Sequence, residues 1–138
     1  MLKITVAAAW ISAVLVQSAA SVQSSGSVQG ATAASTGVYA ESQAARGKDI
    51  FGLICSSCHN IASQSGALFS KRWNGVPLSD LYQVFVEAMP KDDPGALTEK
   101  ERVDVVAYLL KINGLPAGTT DLPADPEALK KIVIDLVK

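Results

Sequence analysis

The chain has 138 residues, 49% apolar and 18% charged, with a net charge of −1. That length favours a single domain. Mixed charges without a basic stripe exclude a nucleic-acid surface.

The N-terminus has the features of an export signal. Lys3 supplies a positive start, Ile4 to Val16 is an apolar run of 13 residues, and Ser18-Ala19-Ala20 offers small residues for cleavage. The run is shorter than the roughly 18 residues of a membrane span. Residues 1–20 are therefore expected to be a signal peptide, with an uncleaved anchor as the alternative, and no membrane span is expected in the mature form. Cleavage removes Lys3 alone, leaving 11 basic and 13 acidic residues, a net charge of −2. Residues 21–37 are Ser, Gln, Gly, Ala and Thr with two valines and no charge, the composition of a flexible linker. Roughly 100 residues follow, adequate for one small core.

Tyr39 to Phe51 has helical character, with Gly47 weakening it by about 1 kcal/mol relative to Ala. Such a glycine implies a close packing partner. Asn60 to Pro77 reads as a loop from its Ser, Gly and Asn content, although Leu68, Phe69 and Trp73 within it must cover something apolar. Ser79 to Ala88 is expected to be a short helix with Ser79 as N-cap and Asp80 in the first turn. Leu81, Val84, Phe85 and Ala88 form its apolar stripe, and Met89-Pro90 ends it. Lys91 to Leu97 is a turn. Thr98-x-x-Glu101 is a capping box opening a helix to about Ile112. That helix is apolar around much of its circumference and is expected to be the most buried, with Asn113-Gly114 as its stop. Asp125-Pro126-Glu127 starts a short helix over 126–131, and Ile132, Val133, Ile134 and Leu136 offer apolar contacts beyond it. No hairpin chemistry, internal repeat or phosphate-cradling loop occurs.

Cys55-Ser56-Ser57-Cys58-His59 uses both cysteines and the single histidine of the chain. C-x-x-C-H is the attachment signature of a c-type haem. Each thiol adds across a vinyl group and the adjacent imidazole becomes the proximal iron ligand. A zinc site wants four ligands, and no other Cys or His completes one. A thioredoxin-like dithiol needs a βαβ setting, whereas these flanks read as helices. A disulfide between residues three apart would staple little. Met89 is the single methionine beyond Met1. It is a candidate second axial ligand, the alternatives being a core filler with a lysine, a water or an open site at the iron. The Trp73 indole N–H needs a partner if buried, either a haem propionate or a backbone carbonyl. Arg72 and Lys71 read as solvated, with propionate neutralisation as the alternative.

These residues together resemble the class I c-type cytochromes, small monohaem electron carriers. The resemblance spans about residues 39–118. Gly47-x-x-x-Phe51 is similar to the family's N-terminal helix, and Tyr108 lies in a segment similar to the C-terminal helix that crosses it. Met89-Pro90 resembles the distal ligand loop, and Trp73 with Gly75 resembles the family's tryptophan near a propionate. Where the family often has Gly-Pro-Leu, this chain has Gly66-Ala67-Leu68, so the resemblance implies the Ala67 carbonyl as acceptor for the imidazole Nδ1 hydrogen. It further implies an all-α helical shell around one covalent haem c, with His59 and Met89 on the iron and with Cys55, Cys58 and Trp73 also contacting the cofactor. The expected domains are 1–20 signal peptide, 21–37 linker, 38–118 cytochrome c domain, and 119–138 an extension packing on it. The expected role is one-electron transfer rather than enzyme catalysis. The chain would act in the periplasm between a partner dehydrogenase or oxidase and a downstream acceptor. Its expected state is a monomeric carrier or, alternatively, a haem subunit of a larger dehydrogenase complex. An open-site sensor or enzyme is the remaining alternative.

Overall fold

A computed structural model describes residues 30–136 of the chain. The expected signal segment and the first part of the expected linker lie outside the described residues. Among the described residues five α-helices carry the fold: α1 (Glu41–Leu53), α2 (Gly66–Trp73), α3 (Leu78–Glu87), α4 (Glu99–Ile112) and α5 (Pro126–Leu129). Two-residue strands β1 (Thr32–Ala33) and β2 (Ile132–Val133) pair in parallel. Among the described residues, no helix is long and apolar enough to cross a membrane.

The frame is the crossing of α1 and α4. Gly47 makes it possible, since a Cβ there would lie 1.8 Å from the Asp104 carbonyl oxygen. Phe51 and Tyr108 pack one turn further on, with ring centroids 5.5 Å apart and planes at 58°, a favourable tilted geometry. All residues from Val103 to Leu110 are buried, so α4 is the central helix that its apolar circumference implies. The Thr98–Glu101 capping box forms in full. Asp104 is buried among these apolar neighbours. It accepts from Arg46 Nε at 2.9 Å, Arg46 Nη2 at 3.1 Å and Lys100 Nζ at 2.9 Å. Burial alone would raise its carboxyl pKa, but the hydrogen bonds from Arg46 and Lys100 outweigh that and hold it below the ordinary value.

Several local expectations are corrected. The stretch from Asn60 to Pro77 is not a loop throughout: a 3-10 turn at Ile61–Gln64 leads into α2. Phe69 and Trp73 stand four residues apart on one face of α2, which accounts for two of the three apolar residues in so polar a segment, whereas Leu68 is exposed rather than covering an apolar surface. Helix α3 starts two residues earlier than Ser79 as N-cap implies. Pro77 is the N-cap residue, and Ser79 instead donates to Asp80 Oδ1 at 3.1 Å. The short C-terminal helix closes at Leu129 rather than 131, because the next residues enter β2.

The end of the expected linker is held in place. Ala34 is fully buried, Thr32 N donates to the Lys131 carbonyl at 2.7 Å, and the Ser35 amide donates to Asp135 Oδ1 at 2.8 Å. Strand pairing arises here without hairpin chemistry because the partners are 100 residues apart in sequence. The far side of β2 meets the α2–α3 connection, where Gly75 N donates to the Ile134 carbonyl at 2.7 Å and Ile134 N to the Val76 carbonyl at 3.0 Å. The tail is tied a second time by Gln43, a buried α1 residue. Its Nε2 donates to the Leu122 carbonyl at 3.0 Å and its Oε1 accepts from Leu122 N at 2.6 Å. Leu122, Leu129, Ile132 and Ile134 are buried against the helices.

Candidate haem site

The end of α1 delivers the cysteines. A 3-10 turn over Cys55–Ser57 follows at once, and the Cys55 carbonyl accepts from both Cys58 N at 3.1 Å and His59 N at 2.9 Å. This tight turn brings Cys55, Cys58 and His59 to the wall of one cavity of about 560 Å³. Met89, just past the end of α3, reaches the same cavity, as does Trp73 from the last turn of α2. All five residues singled out in the sequence therefore share one site. Much of the remaining wall is apolar, with Phe51, Leu81, Val84, Phe85, Leu97 and Leu109 contributed by three helices and the α3–α4 connection, while Gln64, Arg72 and Lys91 to Asp93 add polar and charged groups to it.

Both cysteines are free, Cys55 half-buried and Cys58 exposed. Burial pushes the Cys55 thiol pKa up, the reverse of the lowered value on which redox dithiols rely. Among the described residues no three His, Cys, Asp or Glu side chains converge on a point that could hold a metal ion, which argues against zinc. Arg72 stacks its guanidinium 4.7 Å from the centre of the Trp73 ring. It also lines the cavity while remaining exposed, a place compatible with both readings offered for it, the solvated one and propionate neutralisation. Trp73 is braced from behind by Phe69, with centroids 6.5 Å apart.

The Nδ1 partner of His59 differs from the expected one. Ala67 lies in the first turn of α2, where the carbonyl is directed along the helix toward the amide four residues on. The group near His59 Nδ1 is the Gln64 side chain, 3.3 Å away.

The donor set fits a c-type haem. Two thiols at the attachment spacing, an imidazole and a thioether border an apolar cavity within the ~300–1,000 Å³ range of cofactor sites. The fold and the site are those of a c-type cytochrome, with haem c bound covalently through Cys55 and Cys58. Residues 42–109 match the model of the family described as cytochrome c oxidase, cbb3-type, subunit III. The chain is similar to the cytochrome bc1 complex cytochrome c subunit of Corynebacterium diphtheriae, 35% identical over 80 residues. That match covers 53% of this chain and 28% of the relative. The subunit of the same description from Corynebacterium efficiens is 33% identical over 79 residues, covering 52% of this chain and 27% of the relative. The chain thus spans little more than a quarter of the length of these curated relatives. No solved structure matches it significantly.

Proposed function

We propose that this chain is an exported haem c subunit of a larger respiratory redox complex, with His59 and Met89 as the axial ligands of its iron. The observation that carries the ligation is the meeting of Cys55, Cys58, His59 and Met89 on one cavity from two separate elements. Bound there, the haem supplies a one-electron couple, and the chain supplies ligation, burial and docking. Two filled axial positions leave no site for a substrate, and thioether ligation favours the reduced iron. Trp73 and Arg72 both line the cavity, where an indole N–H and a cation would serve a propionate.

Two observations favour a subunit over a free carrier. The curated relatives are both named as subunits of a bc1 complex. The segment around the thiols also has an uncharged surface, with no Asp, Glu, Lys or Arg from Phe51 to Ser70. Leu53, Ile61 and Leu68 in that segment are 85%, 52% and 64% exposed. An apolar rim beside the site suits a lasting contact with a neighbouring subunit, whereas transient carriers rely on charge steering. The experiment is native electrophoresis of the gently extracted protein with staining for haem. The band should run with a larger assembly and stay there in about 1 M salt, where charge pairing is screened within ~3 Å. A haem band at the size of one chain in the soluble fraction would return the free periplasmic carrier to first place.

A further inference from the structure

Gln64 is placed between the central helix and the histidine. Its side-chain nitrogen lies 3.3 Å from His59 Nδ1 and 3.2 Å from Ser63 Oγ. Its backbone carbonyl accepts from Asn113 Nδ2 at 3.0 Å. Asn113 is the C-cap residue of α4. Its Nδ2 also donates to the Leu109 carbonyl at 2.8 Å, and its Oδ1 accepts from Gly66 N at 2.9 Å. One side chain thus fastens both ends of the Gln64–Gly66 step to the end of α4. Gln64, Leu109 and His59 line the same cavity.

We propose that Gln64 is the positioning residue of His59: its amide orients the imidazole and sets the basicity of that nitrogen ligand. The inference rests on the reading of His59 as an iron ligand. A histidine that ligates through one ring nitrogen is oriented by the hydrogen bond its other nitrogen makes, and that bond raises its basicity. With Nε2 on the iron, Nδ1 carries the hydrogen and needs an acceptor. A primary amide meets this need when turned over: Oε1 then faces Nδ1, and the Ser63 hydroxyl, which donates to the Asn60 carbonyl at 2.7 Å, turns to donate to Oε1 instead. The backbone carbonyl that could have served is committed within α2. An acceptor on a side chain has a further consequence. It can be strengthened or removed by one substitution without disturbing the backbone.

The test uses the holoprotein and reads two quantities, the midpoint potential and the proton resonance of the His59 Nδ1–H in the reduced form. Gln64→Glu gives a stronger acceptor of nearly the same shape and should shift the midpoint downward. Gln64→Leu removes the acceptor and should shift it upward, with loss of the hydrogen-bonded position of the Nδ1–H resonance. Ala62→Glu places a charge on an exposed neighbour and should move the potential by less than half as much as Gln64→Glu. If both Gln64 variants keep the wild-type potential and resonance in a protein with an intact six-coordinate low-spin spectrum, the positioning role is overturned alone. It is overturned equally if Ala62→Glu reproduces the Gln64→Glu shift, since charge then suffices. A wild-type spectrum without histidine ligation overturns the reading of His59 and this inference together.

Discussion

On the ligation proposed above, Met89 and the two cysteines divide the work of holding the cofactor, and single substitutions separate their parts. Cys55 and Cys58 carry the covalent attachment, whereas Met89 lies past α3 on a different element of the same cavity. Met89→Ala should therefore keep its haem through denaturation. It should lose the weak red sulfur-to-iron band of the oxidised form and bind carbon monoxide when reduced. Its potential should fall by a part of the ~0.8 V range that axial ligation spans. Carbon monoxide binding by the reduced wild type would remove Met89 from the iron. Cys55→Ala should still bind haem through one thioether but at lower yield. Absorption of the pyridine adduct reads the remaining vinyl group, and two intact vinyls in the wild type would contradict covalent attachment.

At the scale of elements, the α1–α4 crossing depends on backbone contact at one point. Gly47→Ala would place a methyl 1.8 Å from the Asp104 oxygen and 2.9 Å from Val105 N, both on backbone that cannot turn aside. The helix gains about 1 kcal/mol in propensity, but forcing the helices apart costs more, on the order of 3 kcal/mol. A net loss of about 2 kcal/mol should lower the thermal midpoint by on the order of 10 °C. Gly52→Ala on the same helix meets nothing within 4 Å and should leave the midpoint unchanged or higher. The comparison isolates the crossing from helix propensity.

Asp104 beside this crossing gives a pH dependence. Its folded pKa lies below the ordinary value of 3.8. Its contribution is therefore complete above that value and is lost as pH falls through the lower folded pKa. Thermal midpoints measured from about pH 6 down to about pH 2 should drop for wild type, chiefly below about pH 4. Asp104→Asn should start lower at neutral pH and flatten that acid limb. Parallel acid limbs for the two proteins would show that the Arg46–Asp104–Lys100 group contributes nothing to acid stability.

Across the whole molecule, the cavity and the core are one apolar body. Leaving about 560 Å³ unfilled in a collapsed core would cost at most about 13 kcal/mol at ~24 cal/mol per Å³. It is less in practice, since the rim at exposed Cys58 is open to water. That is comparable with the ~5–15 kcal/mol stability of an entire domain. The haem-free chain should accordingly lack the cooperative transition of the holoprotein, with weak near-ultraviolet dichroism before heating. Matching transitions in the two forms would show that the helices close without the cofactor.

The sequence by itself named the candidate haem residues and the helices α1, α3 and α4. Cys55, Cys58 and His59 are contiguous, Met89 has no competitor beyond Met1, and the Thr98–Glu101 box and the apolar run to Ile112 are local signals that need no tertiary partner. Gly47 could be read as a close approach because glycine inside a helix is costly without one. Only the tertiary structure decided what lies far apart in the chain. Helix α2 hides in Ser- and Gly-rich sequence because its reason to form is the apolar face that Phe69 and Trp73 bury, not its propensity. The order of residues 32–35 comes from Lys131 to Asp135, about a hundred positions away, whose carbonyl and carboxylate groups accept from their amides. Gln43 looks like a solvated helix residue until its amide is seen pairing both polar groups of Leu122. Gln64 faces His59 because Asn113 closes α4 against the turn that carries it. Local composition records propensity and spacing. It does not record which distant backbone will supply a missing donor or acceptor, and in this protein that pairing fixes the tail, the end of the linker and the neighbour of the histidine.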